Sequence, residues 1–403
     1  MHRVSPSRRV WGTALATCCA LVAGLAAPSI SAAPTPRDAQ VLTLGTVLPD
    51  TGSLAAYGPA TQAAVRLAVD DANAAGGVLG ASVRLRPGDS GGSGGSTFAR
   101  TLSAMPEAQA IIGPLSSTLV LDNLRAVSGR TLISPATTSA QLTGVLARTV
   151  PAEPLNGAML ATLAEQRGAL RLVVVGPRDQ QALVDAALDR ASDIGLAATS
   201  VVFSKQQSAA NVATRIVRTS ADAMLLASGA ETTAILRELL RRGMPALVLL
   251  TPAAVDGVDP EGLRRGTLDG ALGLELDLTV PRALLTRIRA AVPDAKQTAY
   301  SAQAYDAAAI AILAAEASGR LAGTITEQGV RAALPSVTSI GTPCDSLARC
   351  LRLLRRGADI DYVGYAGPYA LDAAGDPGAA RYLVRVFGSN NTPGSAARPV
   401  RYP

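Results

Sequence analysis

Histidine, tryptophan, cysteine and lysine are scarce in this chain of 403 residues, which has one His, one Trp, four Cys and two Lys. The histidine and the tryptophan, His2 and Trp11, lie in the first 32 residues, together with Cys18 and Cys19. If that segment is removed, no histidine is left for Ser-His-Asp or Cys-His catalysis or for a His-ligated metal. The sequence therefore predicts neither histidine-based catalysis nor a metal, and we expect no cofactor.

Residues 1–32 have the organisation of a secretory signal peptide. Arg8 and Arg9 precede an apolar stretch, and small residues then favour cleavage near Ala32. A lipoprotein signal that would acylate Cys18 is the close alternative, whereas a membrane anchor fits less well. We expect an exported protein that is extracellular or associated with the cell surface.

The charge pattern does not indicate a nucleic-acid-binding protein. The formal charge is +6, but the first 32 residues carry three arginines and no acid, which leaves 6 − 3 = +3 for the remainder. Acidic residues are interspersed with the basic ones, as in Arg237-Glu238. Such a surface is typical of a solvated protein, so no nucleic-acid partner is expected.

Short apolar runs that end in Gly, Pro or Ser alternate with amphipathic helical patterns such as 65–72. We expect buried parallel strands with helices between them, which is an α/β fold. The predicted strands are 41–48, 83–85, 110–112, 131–133, 170–175, 198–203, 223–227, 246–250, 271–276 and 382–387.

The alternation pauses at Pro151 and Pro154 and then starts again, which predicts two α/β lobes of similar size. Two helices, 282–291 and 300–318, and an extended segment at 360–371 follow the second series of strands. We therefore expect the chain to cross between the lobes more than once.

The loops that follow three predicted strands are rich in small hydroxyl residues. These loops are 49–53, 113–117 and 134–139. Ligands of parallel α/β sheets bind at the carboxyl ends of the strands, where loops meet helix N-termini. Hydroxyl and backbone N–H groups can hold a carboxylate there without a positive side chain.

Six short motifs follow one another along most of the chain. They are 45–52, Tyr57-Gly58, the D-x-N-x-x-G-G run 71–77, 111–114 with Ser116-Ser117, 133–135 with Thr137-Thr138, and 360–364 with Gly367-Pro368 and Asp372. In this order and spacing they resemble the type I periplasmic solute-binding proteins of the Leu/Ile/Val-binding class, the extracytoplasmic receptors of ABC importers. The resemblance covers nearly all of residues 41–388.

This resemblance implies two doubly wound parallel-sheet lobes joined by a multi-strand hinge, with the ligand trapped between them by hinge closure. It implies an N-terminal lobe of 41–151 and 281–376 and a C-terminal lobe of 152–280 and 377–388, and we expect 389–403 to be a flexible tail. The implied function is the binding, without catalysis, of a small carboxylate-bearing solute such as an amino acid. The implied partner is the membrane permease of an ABC importer.

The resemblance also implies ligand-binding residues in the first lobe. Ser117, with Ser116 beside it, matches a carboxylate-binding loop, and Thr137 and Thr138 match a loop that contacts the carboxylate and ammonium of the ligand. Tyr57 matches an aromatic position on the cleft wall. Structural roles remain open alternatives: helix caps for the serines, turn positions for the threonines and a rim position for the tyrosine.

The second lobe departs from the family pattern, which leaves the ligand undefined. Loops 176–182 and 227–231 lack the family's aromatic residues, and 251–254 lacks an acid to pair with an ammonium. Because an unpaired ammonium in a closed cleft is costly, either a nearby acid supplies the charge or the ligand is not a free α-amino acid. The candidate acids are Asp256, Glu231 and Asp179.

Cys344 and Cys350 are the only cysteines outside the signal segment. In an exported protein two cysteines this close favour a disulfide, with two buried thiols as the alternative.

Two other functions remain open at this point. One is a sensor that presents its ligand to a signalling partner. The other is a His-free exported hydrolase, which would need Lys205 or Lys296 beside a serine of the cleft.

Overall fold

Strands and helices alternate along the chain, as predicted for an α/β protein. The structure is a computed structural model that describes residues 40–92 and 95–402. The predicted signal segment and Cys18 lie outside the described residues. The helices are α1 (Gly58–Ala74), α2 (Ser96–Ser103), α3 (Ser117–Leu121), α4 (Leu124–Val127), α5 (Glu153–Gln166), α6 (Gln181–Asp193), α7 (Ala209–Arg218), α8 (Thr232–Arg242), α9 (Pro252–Asp256), α10 (Arg282–Ala291), α11 (Ser301–Ala322), α12 (Glu327–Ala333) and α13 (Leu347–Arg355).

The first sheet contains five parallel strands. They are β1 (Thr43–Thr46), β2 (Arg84–Arg86), β3 (Ala110–Ile112), β4 (Leu132–Ser134) and β5 (Ala147–Arg148). Their spatial order is β2-β1-β3-β4-β5. The two residues of β5 are too few for a periodic signal, which is why the sequence did not predict this strand.

The second sheet contains seven strands and is mixed at one edge. Its strands are β6 (Arg171–Pro177), β7 (Ala197–Phe203), β8 (Ala223–Leu226), β9 (Leu247–Leu250), β10 (Leu272–Leu276), β13 (Ala380–Phe387) and β14 (Pro393–Tyr402). A small parallel pair, β11 (Thr342–Cys344) and β12 (Ile360–Tyr362), lies outside both sheets. The order of the second sheet is β14-β13-β10-β9-β8-β6-β7, with β13 antiparallel to both of its neighbours.

Helices cover both faces of each sheet, so alternate residues of a strand pack into different cores. In the first sheet Ile111 packs with α2, α3 and α4, whereas Ile112 packs with α1 and α11. In the second sheet Val173 and Val174 likewise belong to two separate apolar clusters. Burial on both faces explains why these strands are continuous apolar runs. The predicted fold class is confirmed, with the mixed edge of the second sheet as a refinement.

The expectation of a flexible tail at 389–403 is wrong for the described part of that segment. Residues 393–402 form β14, which pairs with β13 from Ala380↔Tyr402 to Phe387↔Pro393. Half of the residues of this strand are exposed, none is buried, and two are prolines. An edge strand of that kind is held mainly by backbone hydrogen bonds, which leave no apolar pattern in the sequence.

Three connections join the region of the first sheet to that of the second. They follow β5 at 149–152, follow β10 at 277–281, and precede β13 at 372–379. Gln303 on α11 links two of them, because its backbone carbonyl accepts from Thr149 Oγ1 (2.9 Å) and its Nε2 donates to the carbonyl of Asp277 (3.2 Å). The connections are therefore fastened to one helix of the first core.

Helix α11 is almost entirely buried, and it packs against α1, α12 and α13 in the first core. Within residues 40–92 and 95–402 the structure contains no single helix with both the length and the apolar character needed to cross a membrane. The pair α11 and α12 meets that test only when the two are taken together, with a bend of 110° between them.

Asp306 of α11 organises the segment that follows β12. Its carboxylate is fully buried and accepts from the hydroxyls of Tyr362 (2.8 Å) and Tyr369 (2.5 Å) and from the N–H groups of Tyr365 (3.0 Å) and Ala366 (2.7 Å). Four donors around one buried acceptor group hold 362–369 against the helix. The glycine of the late motif, at 364, is required because a Cβ there would overlap this carboxylate.

Replacing Asp306 by alanine should therefore destabilise the protein strongly. Loss of the carboxylate leaves four buried donors without an acceptor, and we expect the free energy of unfolding to fall by about 2–4 kcal/mol. Denaturant titration measures this change. Asp359→Ala, at an exposed acid, serves as the control and should have a much smaller effect. Equal losses for the two variants would contradict the assigned role.

Cys344 and Cys350 form a disulfide, with their Cα atoms 5.5 Å apart, as predicted. The bond links the end of β11 to the first turns of α13.

In protein that lacks residues 1–32, a thiol reagent should label no cysteine after unfolding without reductant, and two after reduction. Mass spectrometry counts the labels. Two labels on unreduced protein would show that the cysteines are free thiols.

Candidate functional site

A cavity of about 280 Å³ lies where carboxyl ends of strands from both sheets meet. From the first core it is lined by Ala136, Thr138 and Tyr300. Glu153, Asn156, Gln180, Thr251 and Asp256 are among the residues that line it from the second side. A crevice outside the carboxyl ends of parallel strands is the usual ligand position in this class of fold.

The threonine loop, residues 137–139, follows β4 and forms one edge of the cavity. Its turn is closed by Ser134 Oγ, which accepts from the N–H of Thr137 (3.0 Å) and donates to the carbonyl of Pro114 (2.7 Å). Thr138 lines the cavity, whereas Thr137 is fully buried beside it, and Thr137 Oγ1 has no hydrogen-bond partner. The structure thus separates the two predicted threonines into a lining residue and a buried one.

Ser117 joins the two hydroxyl-rich loops of the first lobe. Its Oγ accepts from the N–H groups of Thr138 (3.3 Å) and Ser139 (3.4 Å). A hydroxyl that accepts in this way keeps its own proton available for donation. Ser117 therefore lies beside the threonine loop with its hydroxyl proton available, although it is not among the residues that line the 280 Å³ cavity.

Ser116, by contrast, has a structural role. It is the N-cap of α3, and its Oγ accepts from the N–H of Leu119 (3.2 Å). It lines a second cavity, of about 220 Å³, together with residues such as Pro49 and Ser90. The helix-cap alternative that the sequence left open describes Ser116, whereas the Ser117 hydroxyl contacts another loop.

Arg148, which the sequence did not single out, holds the threonine loop from behind. The residue is fully buried, its Nε lies 2.6 Å from Asp376 Oδ1, and its Nη1 donates to the carbonyls of Thr137 (3.2 Å) and Ser139 (3.0 Å). Burial lowers the pKa of Arg148, and the charge of Asp376 opposes that shift. The guanidinium thus connects the loop to the third connection between the sheets.

One wall of the site contains Tyr300, which is packed against Tyr57. The rings of Tyr57 and Tyr300 are 5.8 Å apart and meet edge to face, and Tyr300 lines the cavity. Burial raises the pKa of Tyr300, with smaller contributions from Tyr57 and Asp256. Sequence analysis identified Tyr57 but missed Tyr300, because the latter coincided with the first residue of a predicted helix.

Asp256 is the predicted acid that does line the cavity. It ends the short helix α9, which begins after Thr251 with a side-chain cap to Ala254 N (3.3 Å). The next residue, Gly257, packs so closely on Gly229 that a Cβ would overlap its carbonyl oxygen. Partial burial raises the pKa of Asp256, and the charge of Glu275 adds to the shift.

The other two candidate acids are placed elsewhere. Asp179 is exposed and pairs with Lys205 at 2.7 Å, and neither Asp179 nor Glu231 is among the residues that line the cavity. Lys205 is therefore engaged with an acid, and Lys296 is exposed. Neither lysine lines the cavity, so the arrangement that a His-free hydrolase would need does not occur there.

Glu153, which sequence analysis missed, is a second acid in the cavity. It begins α5, its N–H donates to the carbonyl of Thr138 (2.9 Å), and its Oε2 accepts from Gln180 Nε2 (3.4 Å). Burial raises the pKa of Glu153. One turn further along, Asn156 is 4% exposed, and its Oδ1 has no partner. Polar residues in the first turn of the helix after Pro151 were the available signal.

Two α/β lobes with a polar crevice at the carboxyl ends of their strands define a solute-binding protein. A family model described as periplasmic binding protein matches residues 41–353, and the chain belongs to this family. Its members are extracytoplasmic binding proteins rather than enzymes.

Individual proteins are similar over most of their length. The chain is 27% identical over 372 residues to the substrate-binding protein BasB of a chemotactic signal transduction system of Halobacterium salinarum. This alignment covers 86% of this chain and 87% of that protein. An ABC transporter substrate-binding protein of Desulfitobacterium hafniense, solved in complex with Leu, has a TM-score of 0.56 at 19% identity over 90% and 100% of the two chains. A solute-binding protein of an ABC transporter of Rhodopseudomonas palustris HaA2, in complex with p-hydroxybenzoic acid, has a TM-score of 0.55 at 15% identity over 90% and 97%.

Thr137→Val should stabilise the protein, because valine replaces an unpartnered buried hydroxyl by a methyl group of similar size. We expect the free energy of unfolding to rise by about 1 kcal/mol in the absence of ligand. Thr138→Val, at the partly exposed neighbour, is the control and should change stability little. Thermal or denaturant unfolding measures both, and a clear loss for Thr137→Val would mean that its hydroxyl is satisfied.

Proposed function

We propose that the protein is the substrate-binding component of an ABC importer and traps a small carboxylate-bearing solute, an amino acid or a related compound, between its lobes. The supporting observation is the 280 Å³ cavity, which receives hydroxyl groups from one lobe and acids from the other. The lobes we propose are 41–151 with 281–376, and 152–280 with 377–388, the latter extended by β14.

The first lobe supplies the carboxylate site. Ser117 and Thr138 offer hydroxyl donors beside each other, and the unpartnered hydroxyl of Thr137 lies directly behind them. Neutral donors that are already in place stabilise an anion without bringing a counter-charge into the cleft. Ser116 contributes through the cap of α3.

Asp256 and the tyrosine pair complete the enclosure. The Asp256 carboxylate pairs with an ammonium group of the solute, and Tyr57 and Tyr300 provide the wall against which its carbon skeleton packs. The solute binds without any bond being made or broken. The two structural relatives described above support this class of ligand, because leucine and p-hydroxybenzoic acid share a carboxylate.

Binding proceeds in two steps. The solute first binds to the first lobe, and rotation about the three connections then brings Asp256 and its neighbours over it. The closed form is the one that docks on the membrane permease. Export by the N-terminal signal, with cleavage near Ala32 or acylation of Cys18, places the protein outside the cell or at its surface.

A second function is favoured by one observation. The chain aligns over most of its length with a substrate-binding protein of a chemotactic signal transduction system. The same closed form would then present its solute to a signalling receptor instead of, or in addition to, a permease. Co-purification of the liganded protein with a permease or with a receptor separates the two functions.

Ser117→Ala should weaken solute binding by about 1–3 kcal/mol, because a buried carboxylate loses a hydroxyl donor. Calorimetry with amino acids and aromatic acids identifies a ligand and measures this loss.

Ser116→Ala is the matched control for Ser117→Ala. It removes only the cap of α3, which should cost about 1 kcal/mol of stability and leave the affinity nearly unchanged. Equal affinity losses for the two variants would contradict a specific role of Ser117 in binding. Turnover of any ligand would contradict the binding-protein function.

A further inference from the structure

We propose that the solute carries two cationic groups in addition to its carboxylate, as a basic amino acid does. This inference rests on the proposed function and narrows it. It follows from three acceptors around one cavity: the carboxylates of Glu153 and Asp256 and the side-chain amide of Asn156.

The charge of the cavity is the first argument. Its lining includes two acids and no lysine, arginine or histidine, so its formal charge is −2. A neutral amino acid brings one ammonium and one carboxylate and leaves this charge unchanged. Two like charges that lose water as a cleft closes oppose closure unless a cation compensates them. A solute with a second cationic group supplies that compensation.

Three basic residues near the cavity are paired with acids of the protein. The Arg148 guanidinium is bound to Asp376 and to the threonine loop. Arg385 pairs with Glu275, the acid whose charge contributes to the raised pKa of Asp256. Lys205 pairs with Asp179. None of these three basic residues lines the cavity, and neither does Arg178, which is exposed two residues before Gln180, so no cation of the lining compensates the two acids.

The two acids occupy different ends of the site, which suits a solute with separated charges. Glu153 adjoins the threonine loop, since its N–H donates to the carbonyl of Thr138. An α-ammonium next to a carboxylate held by that loop would reach Glu153. Asp256 lies towards Tyr300, whose pKa responds to the charge of Asp256. The cationic end of a side chain would meet a carboxylate there, beside an aromatic wall that also attracts cations.

Asn156 is the independent observation that points to a donor on the ligand. Its side chain is buried, lines the cavity, and has an amide oxygen without any hydrogen-bond partner in the protein. A buried unpaired carbonyl oxygen is costly, and an ammonium or guanidinium N–H is a strong donor to it. The cavity volume, about 280 Å³, suits a single amino acid better than a peptide.

Pairs of ligands that differ in one charge test the inference without altering the protein. L-lysine is compared with L-norleucine, and L-arginine with L-citrulline, by calorimetry at neutral pH. We expect the charged member to bind about tenfold to a hundredfold more tightly, the range given by a charge-assisted hydrogen bond. Equal or tighter binding of the uncharged member would overturn the inference and leave the proposed function intact. Failure of every amino acid and aromatic acid to bind would instead contradict the proposed function itself.

Variants locate the effect. Asp256→Asn should reduce the preference for lysine over norleucine by about tenfold, whereas Glu153→Gln should weaken both ligands alike, because both carry the α-ammonium. Glu165→Gln, an exposed acid on the same helix as Glu153, and Asp259→Asn, an exposed acid three residues after Asp256, should leave that preference unchanged. A preference for lysine that survives Asp256→Asn would show that other groups recognise the second charge.

Discussion

The threonine loop of the first lobe depends on the contacts that the buried guanidinium of Arg148 makes. The guanidinium holds the carbonyls of Thr137 and Ser139 on one side and the carboxylate of Asp376 on the other. A fully buried cation is tolerated only while such acceptors surround it, so the loop cannot leave without exposing an uncompensated charge. Asp376 belongs to the third connection between the sheets. The position of that connection and the shape of the threonine loop are therefore set by the same side chain.

The two lobes contribute different chemistry to the cavity. The first presents the hydroxyl group of Thr138, and the Ser117 hydroxyl lies next to it, where its Oγ accepts from the N–H of Thr138. The second presents carboxylates, of Glu153 and Asp256, whose pKa values are both raised, chiefly by burial. A zwitterionic or cationic solute satisfies both halves only when it lies between them. In the proposed mechanism, closure is thus coupled to the orientation of the ligand as well as to its presence.

Sequence analysis predicted the elements that follow from burial. The strands of both sheets are continuous apolar runs, and one of the predicted hydroxyl-rich loops brings Thr138 to the cavity. Two cavity residues whose positions depend on how the chain returns between the lobes were missed. Glu153 begins α5 and Tyr300 directly precedes α11, and the sequence pattern at each position indicates only that a helix forms. They meet at one cavity because of the three connections between the lobes, and no local sequence pattern encodes the path of those connections. Arg148 was hidden for the same reason, since its partner Asp376 is distant in sequence.

The strand β14 has a consequence for the solution behaviour of the chain. It covers the backbone of β13, which alternates buried and partly exposed residues along much of its length. A chain truncated after Phe387 would keep all residues of the cavity, yet would present a long row of free N–H and C=O groups. Such open borders recruit strands from other molecules. Removal of the terminal segment is therefore expected to favour self-association through the exposed edge of β13.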